Sequence, residues 1–336
     1  MKRVLLTGAS GFVGSHVLRH LLVNTDWEIV CLSSFRHRGI TDRIRLSTSG
    51  YDDDYKRVKV ITHDLTAPIS SVLSHEIGNI DYVFNVASDS HVDRSITHPV
   101  PFIENNVSLV CNVLEWARFS SIERFIHVST DEVYGPAPNG YAHKEWEDQY
   151  LPSNPYSASK AAQESIAYSY WRTYGVPLTI TNTMNIIGEM QDPEKFVPMI
   201  MKKVLSGDVV PIHASPSGEL GSRFYLHARN QADALLYTIS QPIFNYGESN
   251  VPQKFHVVGE KEVNNLEMAQ LVAQCIGKEL KYELVDFHSS RPGHDLRYAL
   301  DGKKIADAGW KAPRSLEDSI QKTVEWTLKN KEWLSI

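Results

Sequence analysis

Cysteine is scarce in this chain, and its three copies, Cys31, Cys111 and Cys275, lie far apart with no ligand spacing. That argues against a disulfide framework and against a zinc site. Long apolar runs are missing as well, so no segment reads as a membrane-spanning helix. The apolar stretch behind Met1-Lys2-Arg3 is too short for a signal peptide and runs straight into a strand-and-glycine pattern. Positive charge is not in excess: the formal net charge of −6 argues against general nucleic-acid binding. Internal repeats and low-complexity segments are absent. What remains is an ordinary soluble chain of 336 residues, 42% hydrophobic and 22% charged, large enough for one big domain or two unequal ones. The expected setting is reducing and cytoplasmic, with neither membrane nor nucleic acid as partner.

Val4 to Thr7 reads as a buried strand that enters Gly8-Ala9-Ser10-Gly11-Phe12-Val13-Gly14, with an amphipathic stretch through Leu22 behind it. Glycines 8, 11 and 14 permit a tight turn, close approach of backbone to a pyrophosphate, and close helix packing, while the helix N-terminus offers free N–H groups to phosphate. A second strand, Glu28–Leu32, follows at the distance of a βαβ unit. No carboxylate follows it. The chain has Ser33-Ser34-Phe35-Arg36-His37-Arg38, and an arginine suits the 2′-phosphate of NADP better than the 2′-hydroxyl of NAD. NADP is therefore favoured over NAD, with Arg36 and Arg38 as its ligands.

Residues 39–56 are polar and read as a solvated loop ending in Asp52-Asp53-Asp54. Val58–Thr62 is a third strand, ending at His63-Asp64-Leu65, where Asp64 is placed for adenine. Asp81–Val86 is a fourth, followed by Ala87-Ser88-Asp89-Ser90-His91-Val92-Asp93-Arg94-Ser95, a polar loop expected to line the ligand cleft. Pro101–Phe119 has helical periodicity through Phe102, Leu109, Val113 and Ala117. A fifth strand, Phe125–Val128, leads to Ser129-Thr130-Asp131-Glu132. A helix from Pro155 to Tyr174 is closed by Gly175, and Leu178–Thr181 is a sixth strand. The alternation predicts an α/β, Rossmann-type doubly wound parallel sheet. From Thr183 onward, short elements and loops suggest a smaller mixed α/β domain. The expected division is residues 1–182, with part of 224–258, for the dinucleotide, and 183–223 with 259–336 for a substrate. A last amphipathic helix opens at Ser315 and runs through Leu328.

The chemistry concentrates between Ser129 and Lys160. Tyr156 and Lys160, four apart on a helix, share one face, and an ammonium held close would draw a phenol's pKa toward the working range. Thr130, Asp131 and Glu132 place a hydroxyl and two carboxyls at a strand end, where open α/β sheets bind ligands.

These residues resemble an extended short-chain dehydrogenase/reductase, and within it the nucleotide-sugar 4,6-dehydratases of the dTDP-glucose type. The likeness extends over about residues 2–320. It is carried by Gly8, Gly11, Gly14, Ser129 to Gly135, His91 to Ile96, Pro155 to Lys160, Pro193-Glu194-Lys195 and Arg291-Pro292-Gly293-His294-Asp295. The resemblance implies that Tyr156, supported by Lys160 and Thr130, deprotonates the sugar 4-hydroxyl while hydride leaves C4. Glu132 then takes the C5 proton, and Asp131 protonates the departing 6-hydroxyl. It implies a tightly held, recycled cofactor contacted by Gly8, Gly11, Phe12, Val13, Gly14, Ser33, Asp64, Leu65, Ala87, Tyr156 and Lys160. Substrate contacts fall to Ser90, His91, Asn185, Glu194, Lys195, Arg223, Arg291 and His294. A homodimer through helices near 101–119 and 155–174 is implied too.

Three departures stand out. Ser33 replaces an acidic residue, Ile186-Ile187-Gly188-Glu189 replaces a stretch with Asn, Tyr and Pro, and Phe224 replaces another acid. A nucleotide-sugar 4-epimerase and a catalytically silent NAD(P)-sensing protein stay open as alternatives.

Overall fold

The computed structural model describes residues 1–36, 38–50, 54–286 and 295–335. Seven strands form one parallel sheet: β1 (Arg3–Thr7), β2 (Glu28–Ser33), β3 (Val58–Thr62), β4 (Tyr82–Asn85), β5 (Arg124–Thr130), β6 (Leu178–Thr183) and β7 (Gln253–Val257), in the order β7-β6-β5-β4-β1-β2-β3. The order reverses between β1 and β4, which opens a crevice at the carboxyl ends of those strands.

Both faces of the sheet are covered, and β1 shows how one short strand serves both. Leu5 packs with the helices α2 (Pro99–Ala117) and α3 (Pro155–Tyr174), whereas Val4 and Leu6 pack with α1 (Phe12–Asn24) and the helix Ala228–Thr238. Successive side chains leave opposite faces, so an apolar run is buried twice over. Each such Leu contributes about 1.5–3 kcal/mol of burial. The N-terminus of α3 is fixed by a reciprocal cap, in which Asn154 accepts from the Ser157 backbone and Ser157 accepts from the Asn154 backbone. Gly175, left-handed at φ 70°, ends it.

Beyond β6 the chain builds small parts. Strand Ile186–Ile187 pairs with Leu226–His227, Val210–Ala214 with Tyr282–Asp286, and Ser222–Phe224 with Glu262–Asn264. Their core is held by the helices Phe196–Ser206, Asn265–Ile276 and Leu316–Lys329. Ser315 caps the last of these by accepting from the Asp318 backbone.

Two expectations need correction. Residues 39–56 are not loop throughout, because Thr41–Thr48 is a helix with Arg43 and Ile44 buried. Its anchor is a cation, as Arg43 donates to the carbonyls of Met190 and Ser10, and a hydrophobic pattern cannot display that. The acidic tip at Asp52 and Asp53 lies outside the described residues. The polar loop after β4 extends only to His91, whose side chain accepts from the Arg94 backbone and starts a helix over Val92–Thr97.

Candidate active site

One cleft of about 570 Å³ runs along the carboxyl ends of the strands, within the size range of small-molecule sites. Its first wall is the glycine turn. Gly8 sits at φ +75°, and a Cβ there would stand 2.9 Å from the Ala87 Cα; a Cβ on Gly14 would meet the Gly8 carbonyl at 2.1 Å. Only glycine allows this approach. Gly11 precedes α1 with no side-chain cap, so the first N–H groups of the helix face the cleft beside Phe12 and Val13. Such a cradle fits a dinucleotide pyrophosphate. Thr7 fixes the opposite rim, its hydroxyl donating to Asn85 Oδ1 and accepting from the backbones of Val86 and Ala87.

At the end of β2, Ser33 Oγ accepts from the Ser10 backbone at 3.3 Å. The arginines expected to take a 2′-phosphate are engaged with carboxylates. Arg36 pairs with Asp64, while Arg38 pairs with Glu194 and with Asp192 at 3.2 Å. Thus Asp64, expected at adenine, and Glu194, expected at substrate, carry guanidinium partners from one short loop. Leu65 and Ala87 line the same wall.

The second wall carries the acids. Thr130, last residue of β5, donates to Asp131 Oδ1 at 2.9 Å, and its hydroxyl accepts from the Glu132 backbone at 3.4 Å. Asp131 is buried, and its Oδ2 has no hydrogen-bond partner among the described residues. Burial first, and the neighbouring Glu132 second, push its carboxyl up to about 7. Burial raises Glu132 as well, but Asn154 Nδ2 donates to its Oε2 at 3.2 Å and draws it back. The two acids therefore differ in degree: each accepts one side-chain donor, Thr130 at Asp131 and Asn154 at Glu132, but Asp131 is the more deeply buried and its Oδ2 has no partner among the described residues.

Tyr156 lies against the same acids. Burial and then the Glu132 charge push its phenol up, with the Thr130 hydroxyl opposing. Lys160 does not meet the sequence argument for its tuning role. Its ammonium donates to the Val128 carbonyl at 2.8 Å and to Gln163 Oε1 at 2.6 Å, and burial pulls it down to about 7. In the protein alone, desolvation outweighs any stabilisation of a phenolate.

The third wall comes from the small substructures and brings in Asn185, Lys195 and Arg223. Lys195 donates to the Ser90 carbonyl at 3.1 Å, and His91 Nε2 stands 2.9 Å from Glu194. Arg223 donates to the carbonyl of Asp295 at 2.6 Å. Arg291 and His294 lie outside the described residues. Sequence reasoning placed Asp89 and Arg94 in the cleft-lining loop without separate roles, and overlooked Asn154 and Tyr298. Asn154 was legible as the cap before Pro155, and Arg94 bonds Asp89 at 2.8 Å within the polar run already noted. Tyr298 carries no local signal beyond its place three residues after Arg291-Pro292-Gly293-His294-Asp295.

A parallel sheet with a glycine turn at its switch point, facing a Tyr-x-x-x-Lys helix, defines a Rossmann-fold enzyme that works with a nicotinamide cofactor. The chain belongs to the NAD dependent epimerase/dehydratase family, whose model matches residues 4–250. It is 34% identical to dTDP-glucose 4,6-dehydratase 1 of Escherichia coli (strain K12), across 99% of this chain and 94% of that one. Among solved structures it is similar to DesIV, the dTDP-glucose 4,6-dehydratase of Streptomyces venezuelae, with NAD and a TDP ligand bound: TM-score 0.85, 30% identity, 98% of each chain covered. It is also similar to the NAD complex of a Thermus thermophilus UDP-glucose 4-epimerase, with TM-score 0.83 and 26% identity over 96% of this chain and 98% of that one.

Proposed function

We propose that this protein is a nucleotide-diphosphate-hexose 4,6-dehydratase, converting a dTDP-glucose-like substrate to the 4-keto-6-deoxy sugar nucleotide and water. The reading is carried by two adjacent acids beside Tyr156: buried Asp131, whose Oδ2 has no partner among the described residues and whose carboxyl is pushed up to about 7, and half-buried Glu132, which accepts from Asn154. Tyr156 takes the proton of the 4-hydroxyl. When bound, the nicotinamide supplies a hydride acceptor for C4 and a hydride donor for C6. With a ketone at C4, the C5 proton is acidic, and Glu132, favoured as carboxylate by Asn154, removes it. Asp131, protonated below about pH 7, delivers its proton to the 6-oxygen, which departs as water. Glu132 then returns a proton to C5. Lys160, fixed by Val128 and Gln163, and Thr130 orient the phenol.

Turnover in deuterated water tests this: dehydration places one deuterium at C5 of the product. A 4-epimer formed with C5 unlabelled would establish the epimerase reading, and an absence of turnover with any sugar nucleotide would leave the silent sensor.

For the cofactor, we infer NAD over NADP, a reversal of the sequence expectation. Support comes from the carboxylate partners of Arg36 and Arg38 and from the NAD-bound relatives. Mass spectrometry of the released cofactor finding NADP would restore the earlier view. We further propose that residues 1–182 with part of 224–258 form the dinucleotide unit and 183–223 with 259–336 the substrate unit, with a cytoplasmic setting and a homodimer through α2 and α3, whose vicinity exposes Val100, Phe119 and Tyr174. Sedimentation at the mass of one chain would remove the dimer.

A further inference from the structure

We propose that Glu189 is a positioning residue for the cofactor: through His16 it braces the first turn of α1, the turn that holds the pyrophosphate. This role needs only a nicotinamide dinucleotide in the cleft, not the dehydratase reaction. Glu189 lies in one of the three departures from the family pattern, and nothing in the chemistry above uses it. It is a buried carboxylate facing three side chains. Its Oε2 stands 3.3 Å from His16 Nε2 and 3.1 Å from His227 Nε2, and its Oε1 accepts from the Arg229 guanidinium at 3.1 Å. The backbone is bent to bring it there. Met190, the next residue, is left-handed at φ 64°, a conformation an ordinary side chain holds only when its surroundings enforce it, and Arg43 ties down its carbonyl at 3.1 Å.

The protons separate the two histidines. His227 Nδ1 accepts from the Arg229 backbone at 3.1 Å, which puts its proton on Nε2 and leaves the ring neutral, as its burial also favours. His16 has no donor to accept from. Its Nδ1 faces the Phe12 carbonyl at 3.0 Å and its Nε2 faces Glu189, and neither a carbonyl nor an ionised carboxylate can donate. Burial pushes the Glu189 carboxyl up, but the two histidines facing it outweigh burial and hold it well below the usual carboxylate range. Both nitrogens of His16 therefore carry protons, and the ring is an imidazolium locked between Glu189 and the Phe12 carbonyl. That carbonyl belongs to the cofactor cradle. It also takes the Ser15 hydroxyl at 2.8 Å, and the same peptide unit carries the Val13 N–H, one of the first-turn donors that a helix leaves open, at the wall of the cleft. Donation to a peptide carbonyl strengthens its N–H as a donor, and a positive charge one turn along α1 adds to the field at the helix N-terminus. Both effects favour an anionic pyrophosphate.

Exchange of the bound cofactor tests the relay. Each protein, purified with its cofactor, is mixed with an excess of isotopically labelled NAD, or NADP if that is what it carries, and mass spectrometry follows incorporation alongside the melting temperature. Glu189→Gln and His16→Leu should each exchange about tenfold faster than the parent, the size expected when a hydrogen bond loses its charged partner. The double variant should stay within about twofold of the faster single one, since both changes cut the same link. His227→Gln, which alters the same cluster without touching Phe12, should exchange within about twofold of the parent even where it melts lower. Unaltered exchange in His16→Leu would overturn the proposal. So would acceleration of His227→Gln equal to that of His16→Leu, which would mark general loosening of a buried cluster, or multiplication of the two single effects in the double variant. If Glu189→Gln fails to fold, the comparison of His16→Leu with His227→Gln decides by itself. Exchange is read without turnover, so a protein that behaves as expected here yet dehydrates no sugar nucleotide removes the proposed function and leaves this result standing.

Discussion

Two parts of the cleft's lining, the one proposed for the cofactor and the one proposed for the substrate, were built by different kinds of sequence information. The cofactor wall comes from residues close together in the chain: Gly8, Gly11 and Gly14 in one turn, and Tyr156 and Lys160 one helical turn apart. The substrate wall is assembled from pieces far apart, with Asn185, Arg223, Asp295 and Tyr298 brought together by strand pairs of two or three residues. Local spacing suffices for the first wall. The second depends on long-range pairing, which has no period to read.

The sharpest way to break this contrast is to attack the acids that join the two walls. Glu132→Gln and Asp131→Asn should each lower kcat by about 10²–10⁴-fold while leaving binding of a nucleoside diphosphate intact by titration. A loss of under tenfold would detach these acids from the chemistry. Next in size is the buried ion pair behind them. Lys254 on β7 meets Glu164 on α3 at 2.8 Å with both side chains sealed from solvent, and Glu164 also bonds Asn182 at 2.7 Å, which in turn holds the Thr130 carbonyl at 2.9 Å. Lys254→Met strands the carboxylate and should cost about 3–5 kcal/mol in denaturant unfolding, with Lys254→Met/Glu164→Gln recovering most of it. A loss below about 1 kcal/mol would show that water reaches the pair.

The glycine wall should answer through the cofactor. Gly14→Ala sets a methyl against the Gly8 carbonyl, and release of the dinucleotide on gel filtration is the expected outcome. Retention of a full complement would mean the turn can shift.

Asp131 sharpens the comparison by pH. Its folded value of about 7 lies above the ordinary carboxyl value, so the native state holds a proton that the unfolded chain has released. Stability from this group is complete below the unfolded value and declines as pH rises through that window to about 7. Asp131→Asn removes the dependence, so its advantage over the parent should grow from pH 4 to pH 8 by roughly 2–4 kcal/mol. The parent's kcat/KM should fall above pH 7 as the acid loses its proton. A flat stability difference would contradict the assigned value. The smallest effect belongs to Arg36→Ala. The pair with Asp64 is solvent-exposed, so unfolding free energy should change by at most about 1 kcal/mol. With NAD as cofactor, the NAD-to-NADP preference should barely move.

Much of the sheet was legible because its strands are apolar runs broken by glycine, proline and capping residues; Val58–Thr62 and the Pro155–Tyr174 helix have the boundaries their patterns imply. Arg43 defeated the reading of residues 39–56, because a buried cation bonded to carbonyls mimics a surface charge in sequence. Arg36 and Arg38 show a different limit. Their charge was visible, but the carboxylates that meet it come from Asp64, Asp192 and Glu194, the last of them 156 positions away. The tuning of Tyr156 by Lys160 was chemically sound yet left out burial, which governs both groups in the protein alone.

The return of the chain to the sheet has a consequence for how the molecule can be dissected. The backbone departs after Thr183 and comes back at Gln253, where every residue of β7 is sealed from water and Lys254 completes the charge on Glu164. A fragment ending at residue 183 would bare β6 as a sticky apolar border and abandon a carboxylate in its interior. Such a fragment should aggregate, because the sheet needs both β7 at its edge and the helix Ala228–Thr238 over Val4 and Leu6.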